Sequence, residues 1–185
     1  ELVCLGDVVQ VTMNHVRLGG RTYTANVMDF DADDPSQFRR TIFPEPALGS
    51  QGVELPGHRA AYDRTRNAVF YVSEWTNTVY RLDRATGAFD FDVGAAFPYK
   101  RRKRSGTYGL FTGPESVDEA TGSLYLTEWG DGSRVWELDL ETLKLRSMRD
   151  THDTGSFGAT VDAERRRLIT SGFWGINVFD LDTGE

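Results

Sequence analysis

Short apolar runs separated by polar turns dominate this chain, and no stretch keeps a helical period over a useful length. Val79, Arg81 and Asp83 alternate with Tyr80 and Leu82, the period-two signature of a strand with one face toward a core. Phe70-Tyr71-Val72 is apolar throughout, as a strand covered on both faces is. Three stretches of this kind align by eye. The first is Val69 to Trp75, then Thr78 to Asp83, closing on Thr86-Gly87. The second is Ser123 to Trp129, then Arg134 to Asp139. The third is Arg167 to Phe173, then Asn177 to Asp182, closing on Thr183-Gly184. A weaker fourth copy pairs Val8 to Asn14 with Asn26 to Asp31.

In this alignment Val27, Val79, Val135 and Val178 are equivalent, at steps of 52, 56 and 43 residues. That spacing suits four-stranded propeller blades with variable loops. A further short segment precedes each of the last three pairs: Ala60 to Asp63, Glu115 to Asp118 and Ala159 to Asp162. Each ends in Asp, whose carboxylate accepts from backbone N–H groups a few residues on and closes a tight turn. Asp83, Asp139 and Asp182 are expected to do the same after the third strand. Outer strands follow at Ala88 to Val93 and Leu143 to Arg146. The expected fold is therefore all-β, a partial β-propeller within one domain spanning 1–185. Its units lie at about 1–48, 57–95, 112–149 and 157–185. The first lacks an innermost strand and the last an outer one, so remaining blades or a second copy are needed to close a ring.

Phe70 to Gly87 and Gly113 to Asp139 resemble the YVTN, NHL and SMP-30/gluconolactonase-like group of β-propellers. Gly113-Pro114-Glu115-Ser116-Val117-Asp118, followed by Gly122 to Trp129, carries most of the resemblance, and Tyr71-Val72-Ser73-Glu74 with Asn77-Thr78-Val79 looks like a YVTN unit. The Gly-His and Trp-Asp marks of WD40 repeats and the double glycines of kelch repeats are missing. Leu181-Asp182-Thr183-Gly184 is also similar to a quinoprotein propeller turn, a redox reading that ranks last. Many YVTN-type propellers are exported, so the resemblance implies an extracytoplasmic location, periplasmic or secreted.

Composition narrows the function classes. The chain has 185 residues, 21 Lys+Arg against 28 Asp+Glu and a formal net charge of −7. This balance disfavours general nucleic-acid binding. No apolar run approaches a transmembrane segment, and one cysteine, Cys4, excludes an internal disulfide framework. The sequence starts at Glu1 without a signal-like segment and stops just after Asp182-Thr183-Gly184, so a processed or fragmentary chain is expected.

Function is carried by sites rather than folds. The loops joining second to third strands, and one blade to the next, are expected at one face, which is the expected surface for a protein or small-molecule ligand. Glu74 and Glu128 align at the end of the second strand, with Asn14 and Gly172 as counterparts. A ring of Asn14, Glu74 and Glu128 offers carboxylate and amide oxygens suited to Ca²⁺. In the gluconolactonase-like group a divalent ion in the channel is held by Glu, Asn and Asp. The resemblance adds Glu115, displaced from that group's Glu-Gly-Pro order. The alternative to a metal is that these glutamates are turn or surface residues of the repeat.

Trp75 and Trp129 can stack on a ligand or cover the space between blades. His58 and His152 precede inner strands, and His15 lies between second and third strands. A general base there is one reading and loop hydrogen bonding the other. Gly49-Ser50-Gln51-Gly52 does not fit a nucleophile elbow. Asp29 to Asp34 fails as an EF-hand loop, which would need Gly at 34 and Glu at 40 where this chain has Asp34 and Arg40. Lys100-Arg101-Arg102-Lys103-Arg104 is a cationic run suited to an anionic surface, or simply a solvated inter-blade loop. Two functions follow: a propeller binding module acting through its loop face, or a divalent-metal-assisted hydrolase like the gluconolactonase/lactonase propellers.

Overall fold

The structure, a computed structural model, describes the backbone of residues 2–5, 8–18, 21–34, 38–42, 60–73, 78–86, 89–90, 109–113, 115–129, 134–151 and 156–185. All sixteen elements among the described residues are strands. The first sheet has the order β1 (Leu2–Leu5), β2 (Val8–Leu18), β3 (Arg21–Asp31) and β4 (Phe38–Ile42). The second has β5 (Ala60–Asp63), β6 (Ala68–Ser73), β7 (Thr78–Asp83) and β8 (Phe89–Asp90). The third has β10 (Val117–Asp118), β11 (Ser123–Trp129), β12 (Arg134–Asp139) and β13 (Leu145–Asp150), with β9 (Gly109–Phe111) also on β11. The fourth has β14 (Ser156–Asp162), β15 (Arg167–Gly172) and β16 (Ile176–Asp180). Each is an antiparallel meander, and the chain divides into two compact units, Glu1–Ala60 and Ala61–Glu185.

The first sheet holds four strands rather than the three expected. β1 pairs with β2 from Leu2↔Val11 to Leu5↔Val8. Leu2-Val3-Cys4-Leu5 has no alternation and no closing Asp, so the repeat pattern did not reveal it. The fourth sheet has three strands, as expected.

One end of every sheet is built alike. The second strand's first residue pairs with the Asp that closes the third: Val8↔Asp31, Ala68↔Asp83, Ser123↔Asp139 and Arg167↔Asp180. Asp83 Oδ1 accepts from Ala85 N (2.8 Å) and Thr86 N (3.0 Å). Asp139 Oδ1 accepts from Glu141 N (3.0 Å) and Thr142 N (2.8 Å). In the fourth sheet the acceptor is Asp180, bonded by Asp182 N at 2.9 Å and Thr183 N at 2.8 Å. The expected Asp182 is thus replaced by Asp180, two residues earlier. Four steps along each hairpin, Thr12↔Val27, Val72↔Val79, Thr127↔Val135 and Ser171↔Ile176 are equivalent. Ile176, not Val178, holds the fourth valine's place. A two-residue slip keeps every side chain on its face, so the alternation alone could not detect it.

The turns at 64–67, 119–122 and 163–166 share a second device. Asp63 accepts from Arg66 N, Asp118 from Ala120 N and Asp162 from Arg165 N, at 3.0–3.1 Å. The fourth residue is left-handed in each: Asn67 (φ 49°), Gly122 (φ 66°) and Arg166 (φ 52°). Gly and Asn favour this region, whereas Arg166 is strained there.

The core of the second unit lies between sheets. Ala61, Ala68, Phe70, Val72 and Val79 of the second sheet pack with Leu124, Leu126, Trp136, Leu138, Leu140 and Leu143 of the third. Tyr125 and Val135 of the third pack with Ala159 and Leu168 of the fourth, joined by Val161, Phe179 and Leu181. The third sheet thus covers the second, and the fourth covers the third.

Candidate functional site

The opposite end of the sheets varies. Between the equivalent pairs lie residues 13–26 in the first sheet, 73–78 in the second, 128–134 in the third and 172–175 in the fourth. β13 ends opposite Arg134 and β14 begins opposite Gly172, so the step from the third sheet to the fourth leaves and re-enters at this end too. Uniform turns at one end and unequal connections at the other mark the variable end as the candidate recognition surface. In the first sheet β2 and β3 keep one register as far as Leu18↔Arg21. β1 reaches only Val11 and β4 only Val27, so a two-stranded ribbon projects beyond its neighbours. In the fourth sheet Gly172 N donates to Gly175 O at 2.9 Å. That tight tip leaves Phe173 60% and Trp174 83% exposed.

The third sheet's innermost strand is interrupted. β9 pairs with β11 at Phe111↔Thr127 and β10 resumes at Val117↔Leu124, three residues out of register, so the strand bulges between Phe111 and Val117. The bulge is fastened on both sides. Ser116 Oγ donates to Ala159 O of the fourth sheet at 2.5 Å and accepts from Gly113 N at 2.7 Å. Val161 N donates to Glu115 O at 2.7 Å. Toward the second sheet, Arg64 Nη2 pairs with Glu115 Oε1 at 3.0 Å. A Cβ on Gly113 would stand 3.0 Å from Ala159 O, so only glycine fits this approach without a shift.

Charge clasps join neighbouring sheets near the uniform end. Glu119 accepts from Arg64 N (2.8 Å) and Thr65 Oγ1 (2.7 Å). Burial pushes its carboxyl up, but these bonds and the Arg64 charge hold it below its ordinary value. Asp118, fully buried, accepts from Arg166 Nη1 at 2.6 Å and Thr121 Oγ1 at 2.8 Å. Its pKa is lowered because these bonds outweigh the penalty of burial. Arg166 also reaches Asp182 at 3.2 Å. Glu137 accepts from Ser123 Oγ (2.7 Å) and Ser147 Oγ (2.6 Å). Burial, with the nearby Glu137 charge, pushes the Tyr125 hydroxyl up to about 12, so Tyr125 is a neutral phenol at physiological pH.

The residues expected to form a site fall into three groups. Glu74, Trp75, His58, His152 and Lys100 to Arg104 lie outside the described residues. Asn14 and Trp129 are described through the backbone, Asn14 opposite Ala25 and Trp129 opposite Gly109. Glu115 and Glu128 are described fully. Glu115 is exposed and paired with Arg64. Glu128 is buried and accepts from Trp136 Nε1 at 3.3 Å.

Counted from the uniform end, Glu128 and Gly172 stand five residues past Ser123 and Arg167, level with Ser73. Asn14 stands six residues past Val8. Asn14 and Glu128 therefore occupy neighbouring levels, which face opposite sides of a strand. Among the described residues no group of three His, Cys, Asp or Glu side chains gathers as a metal site does. The Ser116–Gly113 fastening and the Trp136–Glu128 bond were not foreseen. The Gly-Pro-Glu-Ser string was the signal for the first; nothing in the sequence marks the second.

Meander sheets of this size and order, stacked face to face in the second unit, define the class: the chain is a partial β-propeller. No known protein-family profile matches it. It is 29% identical over 111 residues to the uncharacterized protein YncE of Salmonella typhi, covering 60% of this chain and 31% of that protein. It is 25% identical over 133 residues to YncE of Escherichia coli O157:H7, covering 71% and 36%. The matched stretch thus spans about a third of the length of these relatives. Among solved structures it is similar to Saccharomyces cerevisiae Sqt1 (TM-score 0.63, 10% identity, 96% of this chain and 43% of that one). A chain of a nidogen/laminin complex gives TM-score 0.62, 13% identity, 97% and 58% coverage. The RRP9 WD40 repeats give 0.60, 9%, 97% and 46%. At these identities the structural likeness establishes the fold. Among the described residues, no helix is long and apolar enough to cross a membrane.

Proposed function

We propose that this chain is part of a propeller binding module that recognises a protein or small-molecule ligand through the variable end of its sheets. The contrast between the two ends carries this reading. The turns at 64–67, 119–122 and 163–166 share one length and one Asp device, while the opposite hairpins differ in every sheet. Scaffolds position such unequal loops for recognition. Trp129 closes β11 at this end, and Trp75, His58 and His152, which lie outside the described residues, are the further side chains this reading assigns to the surface. Together with the exposed Phe173-Trp174 tip they supply the aromatic and imidazole groups that anchor ligands.

Asn14, Glu74, Glu115 and Glu128 remain the residues that a Ca²⁺-dependent form of this site would use. The Arg64 partner of Glu115 and the Trp136 partner of Glu128 favour structural roles for these two.

A photo-cross-linker placed at position 174 (variable end) or 164 (uniform end) tests the reading in extracts of the source cells. A discrete cross-linked partner from position 174 and none from 164 is expected. Partners from 164 alone would refute it.

A further inference from the structure

We infer that the β2–β3 ribbon of the first sheet takes an extended, acidic peptide segment of a protein partner as an added strand along the outer edge of β3. The inference rests on the binding reading of the variable end and names the partner there.

Open backbone is the first observation. β2 and β3 stay paired as far as Leu18↔Arg21, whereas β4 last pairs with β3 at Val27↔Ile42. Among the described residues no strand lies along the outer edge of β3 from Arg21 to Asn26, about 20 Å of strand. Such an edge offers a row of N–H and C=O groups that an extended peptide can bond as a further strand. Thr22, Tyr23 and Thr24 are residue types that strands favour. Pro44 and Pro46, which follow β4 in the sequence, have no N–H to give a ladder.

Charge identifies the occupant. From Val8 to Met28 there is no Asp or Glu, in a chain that holds 28 of them and carries a net charge of −7. The same stretch contains Arg17, Arg21 and His15. Arg17 stands opposite Thr22, and Arg21 opposite Leu18. These are adjacent levels of one ladder, and adjacent levels belong to opposite faces. Each face of the ribbon therefore carries one arginine. An added strand alternates its own side chains between the same two faces, so carboxylates at neighbouring positions match both cations. Opposite charges across neighbouring strands stabilise the pairing and like charges oppose it, so an acidic segment is selected and a basic one rejected.

The probe is a synthetic peptide of three Thr-Thr-Glu-Glu repeats, with a Thr-Thr-Lys-Lys peptide as its counterpart, titrated against the 185-residue chain. The acidic peptide is expected to bind at least about 10-fold more tightly than the basic one and less tightly as salt rises. It should also slow amide hydrogen exchange at alternate residues from Arg21 to Asn26. Arg17→Gln with Arg21→Gln should remove the preference, and Arg17→Glu with Arg21→Glu should reverse it. The wild-type exchange and salt series decide the matter whether or not the variants fold.

Equal affinity for the two peptides would overturn the inference. So would acidic-peptide binding with no change in exchange, which is a charge contact without a strand. Heparin binding that Arg17→Gln with Arg21→Gln abolishes, with no binding of the acidic peptide, would assign the cations to a polyanion instead. If position 174 still captures a discrete partner alongside any of these three results, the variable-end reading stands and only the ribbon falls.

Discussion

The Ser116 hydroxyl of one sheet donates to the Ala159 carbonyl of the next, while its oxygen accepts from Gly113 N within its own bulge. One buried side chain thus fixes both the interruption of an inner strand and its attachment to a neighbour. Ser116→Ala leaves a buried donor and a buried acceptor without this partner. It should cost about 1–3 kcal/mol, read as a fall in denaturant midpoint at constant slope. Unchanged stability would show that the fastening contributes nothing.

Gly113→Ala probes the same contact sterically. The added methyl would meet Ala159 O at 3.0 Å, and the bulge must shift to admit it. Destabilisation of about 1–3 kcal/mol is expected, with faster exchange of the Val161 amide, whose acceptor is Glu115 O. Wild-type exchange at Val161 would contradict the stated geometry.

Arg166 separates charge from backbone strain. Arg166→Gly relieves the left-handed φ but strands the buried Asp118 carboxylate, a loss of about 3 kcal/mol at neutral pH. Asp118 has a lowered pKa in the fold. Its pairing therefore stabilises above the unfolded carboxyl range and is lost as pH falls through the folded value. Melting curves of the two proteins should converge below about pH 4. A constant gap down to pH 2 would contradict the pairing.

Asp139 carries the sharpest acid dependence. The Thr142 backbone bond, with Thr142 Oγ1, Arg146 and Glu141 N, holds its carboxyl down to about 2 against burial. Stability from this turn is complete above the unfolded carboxyl value and drains away as pH falls from about 4 toward 2. Asp139→Asn should flatten the melting temperature against pH in that window. An unaltered acid slope would move the dependence elsewhere.

Glu128 and Glu74 decide between the binding and metal-assisted readings. The binding reading expects Ca²⁺ and EDTA to leave the melting temperature of the wild type and of the Glu74→Gln/Glu128→Gln variant unchanged. A rise with Ca²⁺ that the double variant loses would restore the ion and the hydrolase.

Strand identity was legible because period-two alternation and terminal Asp residues are local. Asp63, Asp83, Asp118, Asp139 and Asp162 all close turns as the sequence suggested. Register was less legible. Tyr71-Val72-Ser73-Glu74-Trp75 and Tyr125-Leu126-Thr127-Glu128-Trp129 match letter for letter in type, yet Tyr71 lies three residues past Ala68 and Tyr125 two past Ser123. That offset of one places the two tyrosines on opposite faces of their sheets. Similar strings suggested one alignment; hairpins of unequal length imposed another. At the last turn, two aspartates spaced by two both satisfy the alternation, and only backbone geometry selects Asp180 over Asp182. The candidate metal set drew on the slipped alignment.

The repeated register is the claim on which the rest depends, and cross-strand proton contacts in the fourth sheet test it most directly. Nuclear Overhauser spectra of labelled protein should show Ser171 facing Ile176 and Ile169 facing Val178, matching Thr127–Val135 in the third sheet. Contacts pairing Ser171 with Val178 instead would contradict the account.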